Sequence, residues 1–561
     1  MLSAAGTMIS LVIVLPEELT PEINLCRRGM DRNGSSTASL RHLMRHLLDA
    51  HGIIHSNVFS TGGRQTKAMG RVSMNIRWSA DLVASCVLFF VVASAPFPFG
   101  STSNSAIAFW CACLGVALVF APAKALRRPH LWIIAGIFIV VAAYGVVLHE
   151  QLSDSPWIAP YHPIWKELGS LVDSAVAPSA SIVRHEAFFA LGAPLANILA
   201  ILVGLVIGAD ARRARQIMLV IALSGSFYAA YGVLSFLIEP TMILWRDKTA
   251  YLSSVTGTFI NRNTAATYFG SCAVIWILLL LAAVRRHLPG GRFRWSNLSR
   301  DLTKIPQASI ALKFAALLIC VMAMFMTGSR AGVAVSLLSM IFVFVVFLRK
   351  DLPPRSGIWM ALAAAALAAL VLLELLGGRV MGRFDSHGLT DSGRLEGWKS
   401  SLLIIADNPW FGTGMGTFQS AFPAFRSPII SMRGTWNAAH STPLELALET
   451  GIPMTLLISA GWAVMLAVLA RGVFSRKRDA SIPLVAVGIA LLALLHSCLD
   501  FTLQIPGYSI PFFALFGAGL AQSFHSGEGS VEPQGTAANA LSTRARTAGS
   551  RKRTLLQVLG S

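Results

Sequence analysis

Apolar runs of about 20 residues, the length that carries an α-helix across the hydrocarbon core of a bilayer, recur along this chain. They lie near 80–98, 104–122, 131–149, 187–208, 216–237, 265–284, 309–328, 332–348, 358–376, 452–470, 482–499 and 507–523. Short polar connections separate most of them, and one long polar segment, 377–451, separates the ninth from the tenth. The pattern predicts an all-α polytopic membrane protein of about twelve transmembrane helices with a large, partly helical periplasmic loop between helices 9 and 10. The expected divisions are 1–75, an extension that is disordered or untranslated; 76–376, helices 1 to 9; 377–451, the loop; 452–523, helices 10 to 12; and 524–561, a disordered basic cytoplasmic tail.

The extension is mixed and weakly periodic, and its one apolar patch, MISLVIVLPEE, is too short to span and has no preceding positive charges of a signal peptide. Met69 or Met74 is an alternative start, placing Arg71 and Arg77 just before the first span. The tail is rich in Gly, Ser, Ala and Arg, a composition that does not build a core.

Composition agrees with the membrane reading: 54% of the 561 residues are hydrophobic and 13% charged, against roughly 25% charged in soluble domains. Cationic loops are retained in the cytoplasm, and the basic connections, at 123–130, 209–215, 285–304, 348–355 and 471–479, each follow an even-numbered span. Both chain ends are therefore expected in the cytoplasm. The segments near 150–186, 238–264, 329–331, 377–451 and 500–506 then face the outside, the periplasm of a Gram-negative cell.

The net charge of +19 is spread over short loops and the tail without aromatic platforms. It fits topology control and anionic lipid, and no nucleic acid partner is expected. Cys86, Cys111, Cys113, Cys272, Cys320 and Cys498 lie in apolar spans and Cys26 in the extension, so the long loop has no disulfide and no cysteine cluster has metal spacing. Charges within the spans are sparse: Asp81 and Lys313 sit near span ends, where they can snorkel, and Glu374 near an outer end. An ion-coupled carrier keeps ionisable groups near the midplane. The pattern argues against a transporter or flippase, which stays the alternative of another class.

Chemistry is sought in the long loop, which ends in WNAAHSTPLELALETG. Thr442 can cap a helix, Pro443 suits its first turn and Glu445 can complete a capping box. The helix is expected to begin at Pro443 and stop at Gly451, with His440 just outside its N-terminus. A neutral imidazole there can accept a proton, or simply bond a backbone carbonyl. Arg330, in MTGSRAG, is held at the outer boundary by a very short turn and needs a polar partner, since a guanidinium at the bilayer centre costs about 3 kcal/mol. Lipid phosphate and an anionic substrate are the two readings, and the planar fork suits phosphate. Arg262 is bracketed by Asn261 and Asn263, amides that can orient it, bind sugar hydroxyls or cap the next helix. Arg394 and Trp398 lie four apart on a helical stretch, LTDSGRLEGWKSSL, and Gly412, Gly414 and Gly416 read as tight turns, because no βαβ context supports a nucleotide fingerprint. Arg379, Arg383, Arg426 and Arg433 add outward positive charge.

Taken in order, FINRN (259–263), TGSRAG (327–332), SGRLEGW (392–398), NPWFGTGMGTF (408–418) and HSTPLELALETGIP (440–453) resemble the O-antigen ligase superfamily. That superfamily also holds O-antigen and exopolysaccharide polymerases and some protein O-oligosaccharyltransferases. The resemblance covers roughly 190–520 and includes the twelve-helix plan with its large loop after the ninth helix. His440-Ser441 and Gly451 fit the ligase histidine motif, whereas Met454 stands where a last glycine is often found, and ligase and polymerase both stay open.

The resemblance implies a metal-independent, inverting glycosyltransferase without a cofactor. Its donor is a glycan on undecaprenyl pyrophosphate, and its acceptor is lipid A-core or another lipid-linked repeat. Arg262 and Arg330 would bind the pyrophosphate and His440 would be catalytic, with Asn261, Asn263, Ser329, Arg394 and Trp398 as further substrate contacts. The expected location is the bacterial inner membrane, with the active site facing the periplasm.

Overall fold

The computed structural model describes residues 79–288, 307–352, 357–376, 378, 392–431, 434–476 and 480–524. The expectations for 1–75, including Met69, Met74 and Cys26, for Arg77, for the tail from 525 onward, and for Arg379, Arg383 and Arg433 lie outside the described residues.

The described residues are mostly helical. The first helices are α1 (Ala80–Ser94), α2 (Asn104–Phe120), α3 (Arg128–Leu152), α4 (Ile164–Val172), α5 (Glu186–Ala190), α6 (Gly192–Gly208) and α7 (Ala211–Ile238). After a two-residue antiparallel ribbon pairing Met242 with Asp247 and Ile243 with Arg246 come α8 (Arg262–His287), α9 (Gln307–Met326), α10 (Arg330–Leu348) and α11 (Gly357–Leu376). The outer loop holds α12 (Ser392–Asp407), α13 (Phe418–Phe425) and α14 (Thr442–Thr450), and the chain closes with α15 (Ile452–Ser475), α16 (Ser481–Ser497) and α17 (Pro506–Ala521).

Each apolar run read from the sequence folds as a helix, but among the described residues eight helices are long and apolar enough to cross a membrane. They are α3, α5 continued by α6, α7, α8, α9, α10, α11 and α15. Helices α1, α2, α16 and α17 are shorter. At 15 residues, α1 reaches about 22 Å, against a hydrocarbon core of about 30 Å. The sequence overestimates these four because apolar residues continue past the helical geometry: α1 gives way to turns at Pro96 and Pro98, and α2 ends before Pro122. The protein is a multi-pass membrane protein.

Helix starts use side-chain caps where the backbone has no intrahelical partner. Ser79 accepts from the Leu82 N–H, Asp210 from those of Arg212 and Arg213, Asn261 from that of Asn263, and Ser329 from that of Gly332.

The connections sort into two groups. On the basic side, Arg213 pairs with Asp81 at 2.9 Å, Arg285 with Asp351, Arg349 donates to the Val473 carbonyl at 2.8 Å and Arg476 to the Gln522 carbonyl. Asp81 is thus paired, and Lys313 folds back onto Ser309 Oγ at 2.7 Å, so neither merely snorkels. On the other side, Gln151 donates to the carbonyls of Phe411 (2.9 Å) and Glu449 (2.8 Å) and accepts from the Met415 N–H. Ile182 donates to Thr413 O at 2.9 Å. The segments assigned to the outside meet one another, and so do the basic ones.

The main core runs through α1, α2, α6 to α10 and α15 to α17. Within it α6 lies close on α17: a Cβ on Gly204 would collide with the Ala514 carbonyl, and one on Gly208 would lie 2.6 Å from Ala518 Cα. Small residues allow this backbone contact, the usual route to tight packing in lipid. The outer loop has its own apolar cluster, in which Ile404, Phe418, Phe422, Ala439 and Leu448 are buried.

Candidate active site

Two helix N-termini open side by side. Asn261 caps α8, whose first residue is Arg262 and whose second, Asn263, is buried. Ser329 caps α10, whose first residue is Arg330. The starts are joined, because Ser329 Oγ accepts from the Gly332 N–H and donates to Asn263 Oδ1 at 2.8 Å. Positive helix ends carrying two arginines favour a bound anion. The Arg262 guanidinium lies 4.8 Å from the centre of the Tyr251 ring.

Asn263 Nδ2 donates in turn to Asp500 Oδ2. Asp500 follows the end of α16 and is 1% exposed. Arg394, from the first turn of α12, donates to the Leu499 carbonyl at 2.8 Å and to Asp500 Oδ2 at 3.3 Å. The other carboxylate oxygen, Oδ1, accepts from the Phe501 N–H at 2.8 Å and stands 3.6 Å from His440 Nδ1. That last separation is an ion-pair distance, longer than a hydrogen bond. Burial alone would raise the Asp500 pKa. The His440 ring, His496 beneath it and the Arg394 guanidinium outweigh burial and hold it at about 2, so the group is a carboxylate at neutral pH.

His440 is placed by the core of the outer loop. Phe418, Phe422 and Trp436 stack at 5.1 and 5.2 Å between neighbouring ring centres, the Trp436 edge meets the His440 ring at 5.6 Å, and Phe501 closes the far side at 5.2 Å. Gly397 leaves room for Trp436, since a Cβ there would lie 2.6 Å from the indole. The His440 backbone has φ 52°, the left-handed region that non-glycine residues seldom adopt.

As expected, His440 lies just outside a helix that stops at Gly451, whose φ is 84°. The capping box differs. Helix α14 begins at Thr442 with Ser441 as N-cap, Thr442 Oγ1 donates to the Asp500 carbonyl at 3.3 Å, and Glu445 reaches past the cap to accept from the Ala439 N–H at 2.7 Å. The reason is burial: both Thr442 and Glu445 find partners outside the helix. Glu449, one turn on, accepts from the Phe418 N–H at 3.2 Å. Burial, reinforced at Glu445 by Glu449, pushes both carboxyls above the ordinary range. Gly412, Gly414 and Gly416 form the expected turns, each with positive φ.

Of the residues read from the sequence, Asn263, Ser329, Arg394 and His440 are joined through Asp500. Arg262 and Arg330 begin the two helices beside them. Asn261 caps α8, and Trp398 is half-buried on α12 with its indole nitrogen enclosed and, among the described residues, without a hydrogen-bond partner. Sequence reasoning passed over Asp500 and Trp436. A lone carboxylate at the outer end of an apolar run was the available signal for the first.

Residues 315–459 match the family model described as O-antigen ligase. That match supports membership of the O-antigen ligase superfamily. The matched segment runs from within α9 to within α15 and contains Ser329, Arg330, Arg394, Trp398 and His440, whereas Asn263 and Asp500 lie on either side of it. No curated protein matches the chain. The match supports an enzyme of ligase or polymerase type in surface-polysaccharide biosynthesis, acting on lipid-linked glycans.

Proposed function

We propose that the protein is an O-antigen ligase-like glycosyltransferase that moves a glycan from undecaprenyl pyrophosphate to an acceptor hydroxyl at the periplasmic face of the inner membrane. The observation that carries this reading is the pairing of His440 with the ionised Asp500, beside helix starts that bear Arg262 and Arg330.

In this reading the acceptor oxygen attacks the anomeric carbon of the first sugar, the bond from that carbon to the diphosphate oxygen breaks, and the acceptor proton passes to His440. With Nδ1 turned to Asp500, Nε2 is the nitrogen that takes the proton. The carboxylate stabilises the positive charge that develops on the ring, and a positioned base of this kind contributes about 10²–10⁴-fold. Arg262 and Arg330 offset the negative charge on the leaving diphosphate. Arg394 and Asn263, bonded to Asp500, hold the carboxylate rather than the sugar. A single displacement inverts the anomeric centre, and fixed arginines do the electrostatic work without a metal.

The test is transfer in proteoliposomes containing an undecaprenyl pyrophosphate-linked oligosaccharide and lipid A-core. Wild type is expected to form the joined glycolipid, while His440→Ala and Arg330→Ala insert normally and leave the donor unconsumed. Arg330→Lys is expected to be poor, because a point charge does not reproduce a bidentate fork. Normal product from both alanine variants removes these residues from the mechanism. Joining only of lipid-linked repeats assigns the enzyme as a polymerase, and movement of intact donor across the bilayer with no new bond assigns it as a carrier.

A further inference from the structure

The segment between α3 and α5 carries an amphipathic helix that the protein itself does not cover. In α4 the apolar residues Ile164, Leu168, Leu171 and Val172 fall at i, i+4, i+7 and i+8, one face of a 3.6-residue spiral, while Lys166, Glu167 and Ser170 take the other. None of the nine residues of α4 is buried, and Leu171 is 81% exposed. Trp157 and Ile158, on the approach to the helix, are 71% and 72% exposed. An apolar face left open in this way marks an interaction surface.

Tethers to both neighbouring spans fix where that face sits. Tyr161 Oη donates to the carbonyl of Asp154, just past the end of α3, at 2.9 Å. The Trp165 indole N–H donates to the Ser181 carbonyl at 2.9 Å, and the Arg184 guanidinium lies 5.8 Å from the centre of the same ring. Arg184 itself pairs with Asp154 at 2.9 Å and stands just before Glu186, where the span formed by α5 and α6 begins. The end of one span and the start of the next are thus laced to α4, which keeps the helix level with the span ends. Phe188 and Phe189, at the start of the second span, are exposed as well.

We propose that α4 lies in the membrane plane at the long-loop end of the bundle, with Ile164, Leu168, Leu171 and Val172 seated at the boundary of lipid headgroups and acyl chains and Lys166, Glu167 and Ser170 facing water. Lipid is the occupant because the face sits level with exposed Phe188 and Phe189 on the adjoining span. In addition, Tyr161 and Trp165, apolar rings with bonded polar tips, are the side chains of a membrane–water boundary. The inference is independent of the transfer reading. Ile182, next to Ser181, donates to the Thr413 carbonyl at 2.9 Å, so a helix seated in lipid also sets the height of that part of the long loop above the bilayer.

The experiment places a thiol-reactive NBD fluorophore on one added cysteine in the full-length protein, reconstituted in nanodiscs of phosphatidylethanolamine and phosphatidylglycerol. Leu168→Cys and Leu171→Cys probe the apolar face, Lys166→Cys and Glu167→Cys the polar face, and Val464→Cys, exposed on the span α15, is the lipid reference. Wild type treated alike gives the signal of the native cysteines, which is subtracted. The four α4 side chains are exposed, so these substitutions leave the packing of the fold intact. Nitroxide-labelled lipid quenches probes in the bilayer, and iodide quenches probes in water. The Leu168 and Leu171 sites are expected to be quenched by nitroxide lipid to within about twofold of the Val464 site, and by iodide at least about fivefold more weakly than the Lys166 and Glu167 sites.

Strong iodide quenching at all four α4 sites, with little from nitroxide lipid, overturns the proposal and leaves the face in water. Protection of the Leu168 and Leu171 sites from both quenchers also overturns it and assigns the face to a protein, a second copy of this chain included. Equal nitroxide quenching on both faces removes the in-plane orientation and with it the proposal.

Discussion

Arg394 fastens the large outer loop to the transmembrane bundle through Asp500, with one guanidinium nitrogen on the Leu499 carbonyl at 2.8 Å and the other on Asp500 Oδ2 at 3.3 Å. The same carboxylate faces His440. The contact that docks the loop thus also involves the carboxylate proposed to assist His440.

Asp500→Asn should therefore insert and fold but transfer glycan at least roughly 10²-fold more slowly, since the ring loses the charge that supports its protonated form. Asp500→Leu should in addition lower the melting temperature. It takes the carboxylate away from the Arg394 guanidinium and from Asn263 Nδ2, and breaking a buried pair from one side costs on the order of 3 kcal/mol. Transfer rates and thermal unfolding in detergent separate the two effects. A fully active Asp500→Asn contradicts the proposed assistance to His440.

Tyr251 lies under the Arg262 guanidinium. A cation over an aromatic face at a partly exposed site is worth about 0.5 to 1 kcal/mol, which corresponds to roughly a two- to fivefold change in affinity. Tyr251→Leu is expected to raise donor KM by that factor with kcat little changed, and Tyr251→Phe to behave as wild type. Equal KM values for all three remove the stacking from donor binding.

Glu445 and Glu449 give the outer loop a pH-dependent stability. Their folded-state pKa values are raised above the unfolded Glu value of about 4.3, so the folded protein binds more protons than the unfolded chain. Their contribution is complete below about pH 4 and declines as pH rises through neutrality. Asp500, held at about 2, has the opposite sign and withdraws support only as pH falls below the ordinary aspartate range. Melting temperature should consequently drop between about pH 5 and pH 8, and Glu449→Gln should flatten that slope. An unchanged slope in the variant contradicts the assignment.

Gly204→Val should block the approach of α6 to α17, because even a Cβ at this position meets the Ala514 backbone. Overpacking a tight core costs about 1 to 3 kcal/mol, and more where backbone must move. The expected outcome is little monodisperse protein on size-exclusion chromatography in detergent. A normal profile contradicts the close contact.

Helix positions were readable because a 3.6-residue spiral in hydrocarbon must be apolar over its whole length, which leaves long uninterrupted runs. The end of a helix is less readable. Ala95 and Pro96 are as apolar as the residues before them, and only the turn there shortens α1. Among site residues, His440, Ser329 and Arg394 announced themselves as polar groups in motifs beside apolar runs. Asp500 has the same local setting as Arg330, a single charge at the outer edge, and the argument that a boundary charge needs a partner applied to it equally. Its partners are Asn263, Arg394 and His440. They come from other connections, which one-dimensional periodicity does not connect.

The pairing of Asn263 with Asp500 spans 237 residues of chain, and His440 and Arg394 lie between them. During synthesis the early helices enter the membrane with half of a charge network and no counterpart for it, until α16 and α17 arrive. The proposed site is thus complete only with the final hairpin, and the long loop alone contains His440 but not Asp500. Moving the proposed site onto another scaffold would require the terminal helices as well as the loop.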